Sequence, residues 1–295
     1  MPFEDLRLLA IGFAVLGAVF LSLGAQFQND AVSGSNGESK NPKALGVRQL
    51  ASLLARPRWL VGTVFLGLAI LLQLSALALA PLIVVQPIGA IALIITSFLN
   101  ARIHKIKLDG KTLGSILLTM VGVGSFVAFA SQGAKDQLLT DSQLLLIVGA
   151  LVGLITLFAL LFLFTRKSAG PLHYIFGAGV LYGFVASLAK VVLLRIRQGD
   201  FEWLTLLAVF ALVGATILGG WFVQNAYASG PPDLVIAGLT VVDPAVAIGI
   251  AIIFLGEAQQ ADPIQILGFS VSGIVAISGV LLLSKFHPQL DKQKA

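Results

Sequence analysis

The sequence predicts an all-α polytopic membrane protein with nine transmembrane helices, built as inverted four-helix repeats joined by a connector helix. Three observations carry that prediction. The chain is 57% hydrophobic and only 11% charged, roughly half the charge of an ordinary soluble domain. Its apolar runs recur along the whole length, and each is long enough to cross about 30 Å of hydrocarbon at about 1.5 Å per residue. Finally, Val84-Val85-Gln86-Pro87 reads almost identically to Val241-Val242-Asp243-Pro244, with Ala90-Ile91 matched by Ala247-Ile248 and Ile95 by Ile252.

The first apolar run, 8–27, follows Glu4 and Asp5, which outweigh Arg7. A signal peptide needs a positive start, so this run is predicted to be a retained helix. Residues 28–58 form the long loop. It opens with Ser33-Gly34-Ser35-Asn36-Gly37, then sets Leu45, Leu50, Leu53 and Leu54 among Arg48, Arg56 and Arg58. That pattern suits a short helix lying on the membrane surface; a solvated loop is the alternative. Spans 59–80, 82–100 and 112–130 complete a first repeat over 1–130. Span 143–165 is the connector, within 131–171. Spans 172–194, 204–228, 233–255 and 265–284 make the second repeat over 172–284, and 285–295 is a tail.

Further matches run in the same order through both copies. Val15-Leu16 and Ser22-Leu23 align with Val180-Leu181 and Ser187-Leu188, and Leu113-Gly114 aligns with Leu267-Gly268. A single connector inverts the second copy relative to the first, a common plan of secondary transporters. Pro87 and Pro244 are each expected to disrupt the helix that carries them.

Lysine and arginine set the orientation. Fourteen of the 19 lie on the side of the long loop and the tail: Lys40, Lys43, Arg48, Arg56, Arg58, Arg102, Lys105, Lys107, Lys111, Arg166, Lys167, Lys285, Lys292 and Lys294. Arg7, Lys135, Arg195 and Arg197 lie on the other side. The positive-inside rule places the long loop and the carboxyl terminus in the cytoplasm and the amino terminus outside, in a cell membrane. Trp59 and Trp203, at span starts, read as interface anchors.

Asp243 falls near the middle of its span. A carboxylate there costs about 2.5–3.5 kcal/mol on insertion scales. Pro244 is expected to free the Thr240 carbonyl one turn earlier. A carboxylate, a hydroxyl and a freed carbonyl make a candidate site for a proton or a small cation, with Asp243 the candidate metal ligand. The competing reading is a neutral Asp243 bonded to a neighbouring helix. Lys190 shares a stripe with Gly179, Gly183 and Ala186. It can point inward to pair with Asp243, or snorkel to the outer interface. Gln73, Gln86, Thr96, Gln224 and Asn225 add neutral polar groups. Gln86 is the counterpart of Asp243, while Gln224 and Asn225 either line an opening or bond helix to helix. Gly149/Gly153 and Gly179/Gly183 are pairs suited to helix packing.

Several classes are excluded. Absence of cysteine removes disulfides and thiolate chemistry. His104, His173 and His287 lie at or beyond span ends, so no histidine cluster awaits a transition metal. No phosphate loop or nucleophile constellation is present, so neither an enzyme nor a resident cofactor is expected. The net charge of +5 is explained by topology, without nucleic acid. The expected partners are lipid bilayer and a small solute or cation, and a homodimer is a candidate assembly.

The paired repeats, Pro87, Pro244 and the Phe254-Leu255-Gly256-Glu257 helix ending resemble the drug/metabolite transporter superfamily. Nine spans, one helix before a long loop, and Trp59-Leu60-Val61-Gly62, Ala80-Pro81-Leu82 and Pro87-Ile88-Gly89-Ala90 look closer to its NIPA-like magnesium transporter branch than to ten-helix EamA-type exporters. The Gly-Glu ending occurs in the second copy only; the first has Leu99-Asn100-Ala101-Arg102. The resemblance implies a secondary transporter and leaves its substrate open. With Asp243 as the proton- or cation-sensitive group, the leading expectation is alternating-access movement of a small polar or cationic solute, coupled to H+ or another cation. NIPA-like Mg2+ transport is the runner-up. A non-transporting membrane scaffold is the alternative from another class.

Overall fold

The computed structural model describes residues 3–33, 56–103, 109–165, 171–229 and 232–286. These residues form α1 (Phe3–Ser33), α2 (Pro57–Leu79), α3 (Leu82–Val85), a 3-10 turn (Gln86–Gly89), α4 (Ala90–Ile103), α5 (Gly110–Gly133), α6 (Asp141–Thr165), α7 (Pro171–Gln198), α8 (Trp203–Ser229), α9 (Pro232–Ile253) and α10 (Pro263–Phe286). Among the described residues there is no strand. Eight helices are long and apolar enough to cross a membrane, with α3 and α4 counted as one run. The ninth expected span falls on α9, whose apolar stretch Gly238–Ile253 is shorter. The first helix runs beyond its expected end at 27 and takes in Ser33. Leu45, Leu50, Leu53 and Leu54 of the expected surface helix lie outside the described residues, whereas Arg58 falls in α2.

Local chemistry sets the helix ends. Ala80 is extended (φ −141°, ψ 158°), as steric conflict with the Pro81 ring demands, and α2 stops there. Thr140 and Gln143 form a reciprocal capping box at the start of α6. Asp262 and Gln265 do the same at α10, with Pro263 at the first helical position. Asp109 caps α5 by accepting from the Thr112 amide at 2.9 Å. Hydrogen bonds from Thr112 hold the Asp109 carboxyl below its ordinary range. At Gly256 (φ 65°) the chain takes the left-handed turn that glycine adopts without a Cβ penalty.

The two proline motifs fold differently. Pro87 sits in the 3-10 turn that breaks its segment into α3 and α4. Pro244 lies inside a continuous α9, contrary to the expected disruption. The following residues differ in the required sense: Gly89 disfavours helix two positions after Pro87, whereas Ala245 and Val246 follow Pro244.

In a bilayer, helices associate by close packing and not by escape from water. Accordingly α1 lies along α2, α7 along α8, α7 also against α9, and α5 along α10. The α5/α10 seam depends on missing side chains: a Cβ at Gly279 would stand 2.5 Å from the Thr119 amide nitrogen. The 3-10 turn is central, touching α1, α5 and α9. The end of the bundle where α1 begins, here the head, gathers the α2–α3, α5–α6, α7–α8 and α9–α10 connections. Arg7 spans this end by donating to the carbonyls of Ser131 and Ala134.

Candidate functional site: a mid-bundle cavity under a charged head

Halfway through the bundle a cavity of about 70 Å³ is bordered by both proline motifs. Pro87 and Ala90 come from the broken segment, and Thr240, Val241, Pro244, Ala245 and Ile248 come from α9. The long helices α5 and α10 close it with Phe126 and Ala276 among others. Its lining is almost wholly apolar, and its volume falls well below the roughly 300–1,000 Å³ of ordinary small-molecule pockets. The described residues therefore leave little open space between the proline motifs.

Asp243 lies beside this cavity but outside its lining. The cavity takes positions 240, 241, 244, 245 and 248 of α9, whereas Val242 and Val246 press on Gly179 and Gly183 of α7. Between those faces Asp243 is half-buried. Its Oδ1 is buried and meets no hydrogen-bond donor. Tyr182 of α7 stands within electrostatic reach of the carboxylate. The competing expectation, an Asp243 bonded to a neighbouring helix, is not what this oxygen does. Thr240 lines the cavity and has a partner of its own.

Lys190 neither meets Asp243 nor snorkels. It is fully buried, at 0% exposure, and its Nζ donates to the carbonyls of Leu77 (2.7 Å) and Ala80 (2.8 Å) and to Asp136 (3.0 Å). Backbone chemistry explains this placement. In a continuous helix the Leu77 carbonyl would take the amide of residue 81, but Pro81 has none. Lys190 supplies the missing donor. The Ala78 carbonyl would take the amide of Leu82, and instead accepts from Arg197 at 2.8 Å.

The amides on the far side of the break have a partner that, like Lys190 and Arg197, comes from the late half of the chain. Leu82 and Ile83 donate to Glu257 Oε1 and Oε2 at 2.9 and 2.8 Å. Glu257 is 1% exposed and is held by its own backbone: its amide donates to Ala251, and its carbonyl accepts from Lys135. Nearer the end of α7, Arg195 is also buried and donates to Asp141 and Thr205.

The remaining sequence-predicted residues scatter. Gln86 is buried in the 3-10 turn, on an element that touches α9. Gln73 lies in α2, its backbone nitrogen facing Gly17 of α1. Asn225 bonds its own helix through Trp221. Gln224 and Thr96 lie in α8 and α4, their side chains outside the description. At Gly149 and Gly153, expected to pack, an added Cβ would meet none of the described residues within 4 Å, and both are exposed. Asp136 and Tyr182 are additions that sequence reasoning missed, and it gives Glu257, the close of a helix ending, no role at a site. Only Glu257 left a signal, an acidic residue placed directly after an apolar run.

Fold and site together define a multi-pass α-helical membrane protein with charged side chains buried at one end. The chain is 26% identical over 285 residues to an uncharacterized protein of Corynebacterium glutamicum, a likeness covering 95% of this chain and 96% of that one. No family model matches the chain, and no solved structure matches it.

Proposed function

We propose that the protein is a secondary transporter that moves a small polar or cationic solute by alternating access, with Asp243 as the proton- or cation-sensitive group. The observation that carries this reading is the buried, unpartnered Oδ1 of Asp243, next to a cavity bordered by both proline motifs. An intramembrane carboxylate is a functional-site hypothesis by default. One that meets no donor is free to take a proton or a cation.

The packing supports an inverted duplication: α1 meets α2 and α4 as α7 meets α8 and α9, and α5 meets α10. In the proposed orientation the head is outside and the carboxyl terminus cytoplasmic. The resemblance to drug/metabolite transporters belongs to the same proposal. Mg2+ as cargo has less support. Among the described residues no group of three histidine or acidic side chains stands close enough to hold a metal, so Mg2+ would pass as a largely hydrated ion.

The test is uptake and efflux in proteoliposomes under imposed proton and Mg2+ gradients, with wild type beside Asp243→Asn. Proton-driven flux that the substitution abolishes supports the reading. Mg2+ flux lost in the variant makes magnesium the cargo. Equal behaviour of both proteins in every assay removes Asp243 from the mechanism and leaves a scaffold.

A further inference from the structure

We propose that Lys190, Arg197 and Glu257 form a latch that holds the head end shut, and that the break between α2 and α3 is the part they hold. The break exposes a defined set of backbone groups. Pro81 leaves the Leu77 carbonyl without its amide, and the extended Ala80 takes Leu82 and Ile83 out of register with α2. Buried backbone polar groups require partners. Here the partners come from elsewhere in the chain, all from α7 and the α9–α10 turn. Lys190 takes the Leu77 and Ala80 carbonyls, Arg197 takes that of Ala78, and Glu257 takes the Leu82 and Ile83 amides. These sequence separations run from 110 to 175 residues, so the bonds join the early half of the chain to the late half.

The charges are arranged to make these bonds strong and mutually dependent. Asp136, from the α5–α6 connection, bridges Lys190 at 2.8 Å and Arg197 at 3.6 Å. Charge-assisted bonds are roughly twice as strong as neutral ones, and Lys190 and Glu257 are shielded from water. Each side chain ends on a carbonyl or amide that a continuous helix would have satisfied internally. The latch therefore closes only when α7 and the α9–α10 turn lie against the break. When they part, water must take over both sets of groups. That is a two-state element of the kind an alternating-access protein needs at one gate. Its effect on flux rests on the transporter reading, whereas its effect on access to the cavity does not.

The natural absence of cysteine makes the test direct. Ala90 lines the cavity and is buried at 7% exposure, and a cysteine there reports access from the head when a membrane-impermeant maleimide is added on that side of oriented proteoliposomes. Ala90→Cys alone is expected to label slowly. Glu257→Gln and Lys190→Met are each expected to raise the rate about ten-fold or more, as loss of differential bonding shifts a two-state equilibrium. Circular dichroism and gel filtration verify the fold. Arg197→Gln, at a side chain 59% exposed, provides a milder variant with a smaller expected rise. Unchanged labelling in folded variants overturns the latch, even if flux is normal. Faster labelling without solute flux in any variant keeps the latch and removes the transporter reading.

Discussion

Val242 closes on Gly179 so tightly that a methyl group on the glycine would stand 2.6 Å from the valine Cβ, and one turn on Val246 does the same to Gly183 at 2.7 Å. This contact brings α9 against α7 and holds Asp243 between its two faces. Gly179→Val therefore overpacks the seam, with an expected cost of about 1–3 kcal/mol and a lower thermal midpoint in detergent. Gly149→Val in α6 meets open space and is expected to leave that midpoint unchanged. Equal effects at both positions would remove the close approach as their cause.

That pair of glycine motifs marks where the sequence is legible and where it is not. Spans, proline motifs and small-residue stripes follow from local composition, and the described residues form apolar helices where such runs occur. Partner choice is not local. Gly149/Gly153 and Gly179/Gly183 have the same spacing, yet among the described residues only the second pair is in close reach of another helix. Lys190 was readable as an inward or a snorkelling residue, because the carbonyl that attracts it lies 113 positions away at a proline break. Arg195 reads as a loop-side charge from its position, but is buried at 2% exposure. The α7 helix continues past it to Gln198, which turns an interface residue into a packed one.

Asp243 makes a prediction about pH. A carboxylate attracts a cation only when ionised, so binding of a cationic solute should strengthen as pH rises through the titration of Asp243. Asp243→Asn removes that group while keeping its shape. Flux measured across a pH series in proteoliposomes is expected to show a rising limb in the wild type. The variant should show a flat profile at least about ten-fold lower, equivalent to roughly 1.4 kcal/mol of lost interaction. A pH limb that survives in Asp243→Asn assigns the titration to another group.

The head charges should differ in their effect on stability by burial and not by charge alone. Arg195 is buried against Asp141, Thr205 and Asp200, whereas the Asp141 side chain is 58% exposed. Replacing the exposed partner, Asp141→Asn, is expected to cost under about 1 kcal/mol. Arg195→Met removes the charged donor that reaches Asp141 and the Thr205 oxygen from a buried position, with an expected cost of about 1–3 kcal/mol. Arg195→Lys should fall between them, since an ammonium cannot reproduce the guanidinium fork. Thermal midpoints in one detergent test that order, and reversal of the first two would mean that the pair is held from the exposed side.

The cavity allows packing and transport to be separated. Phe126 is buried against the cavity and packs at a tilt on Phe269, with ring centroids 5.8 Å apart. Truncation to alanine enlarges a void inside the packed α5/α10 region, and a cost of about 3–5 kcal/mol is expected. Ala245 borders the same space on its open side. Ala245→Phe adds a ring where the chain has room, so its thermal midpoint should stay level or rise. If solute crosses here, the same ring obstructs the route between the proline motifs, and proteoliposome flux should fall at least about ten-fold. A scaffold predicts that Ala245→Phe is silent in every assay and that Phe126→Ala matters through stability alone. A stable but inactive Ala245→Phe variant would place the solute in this cavity, because lost folding could not account for the lost flux.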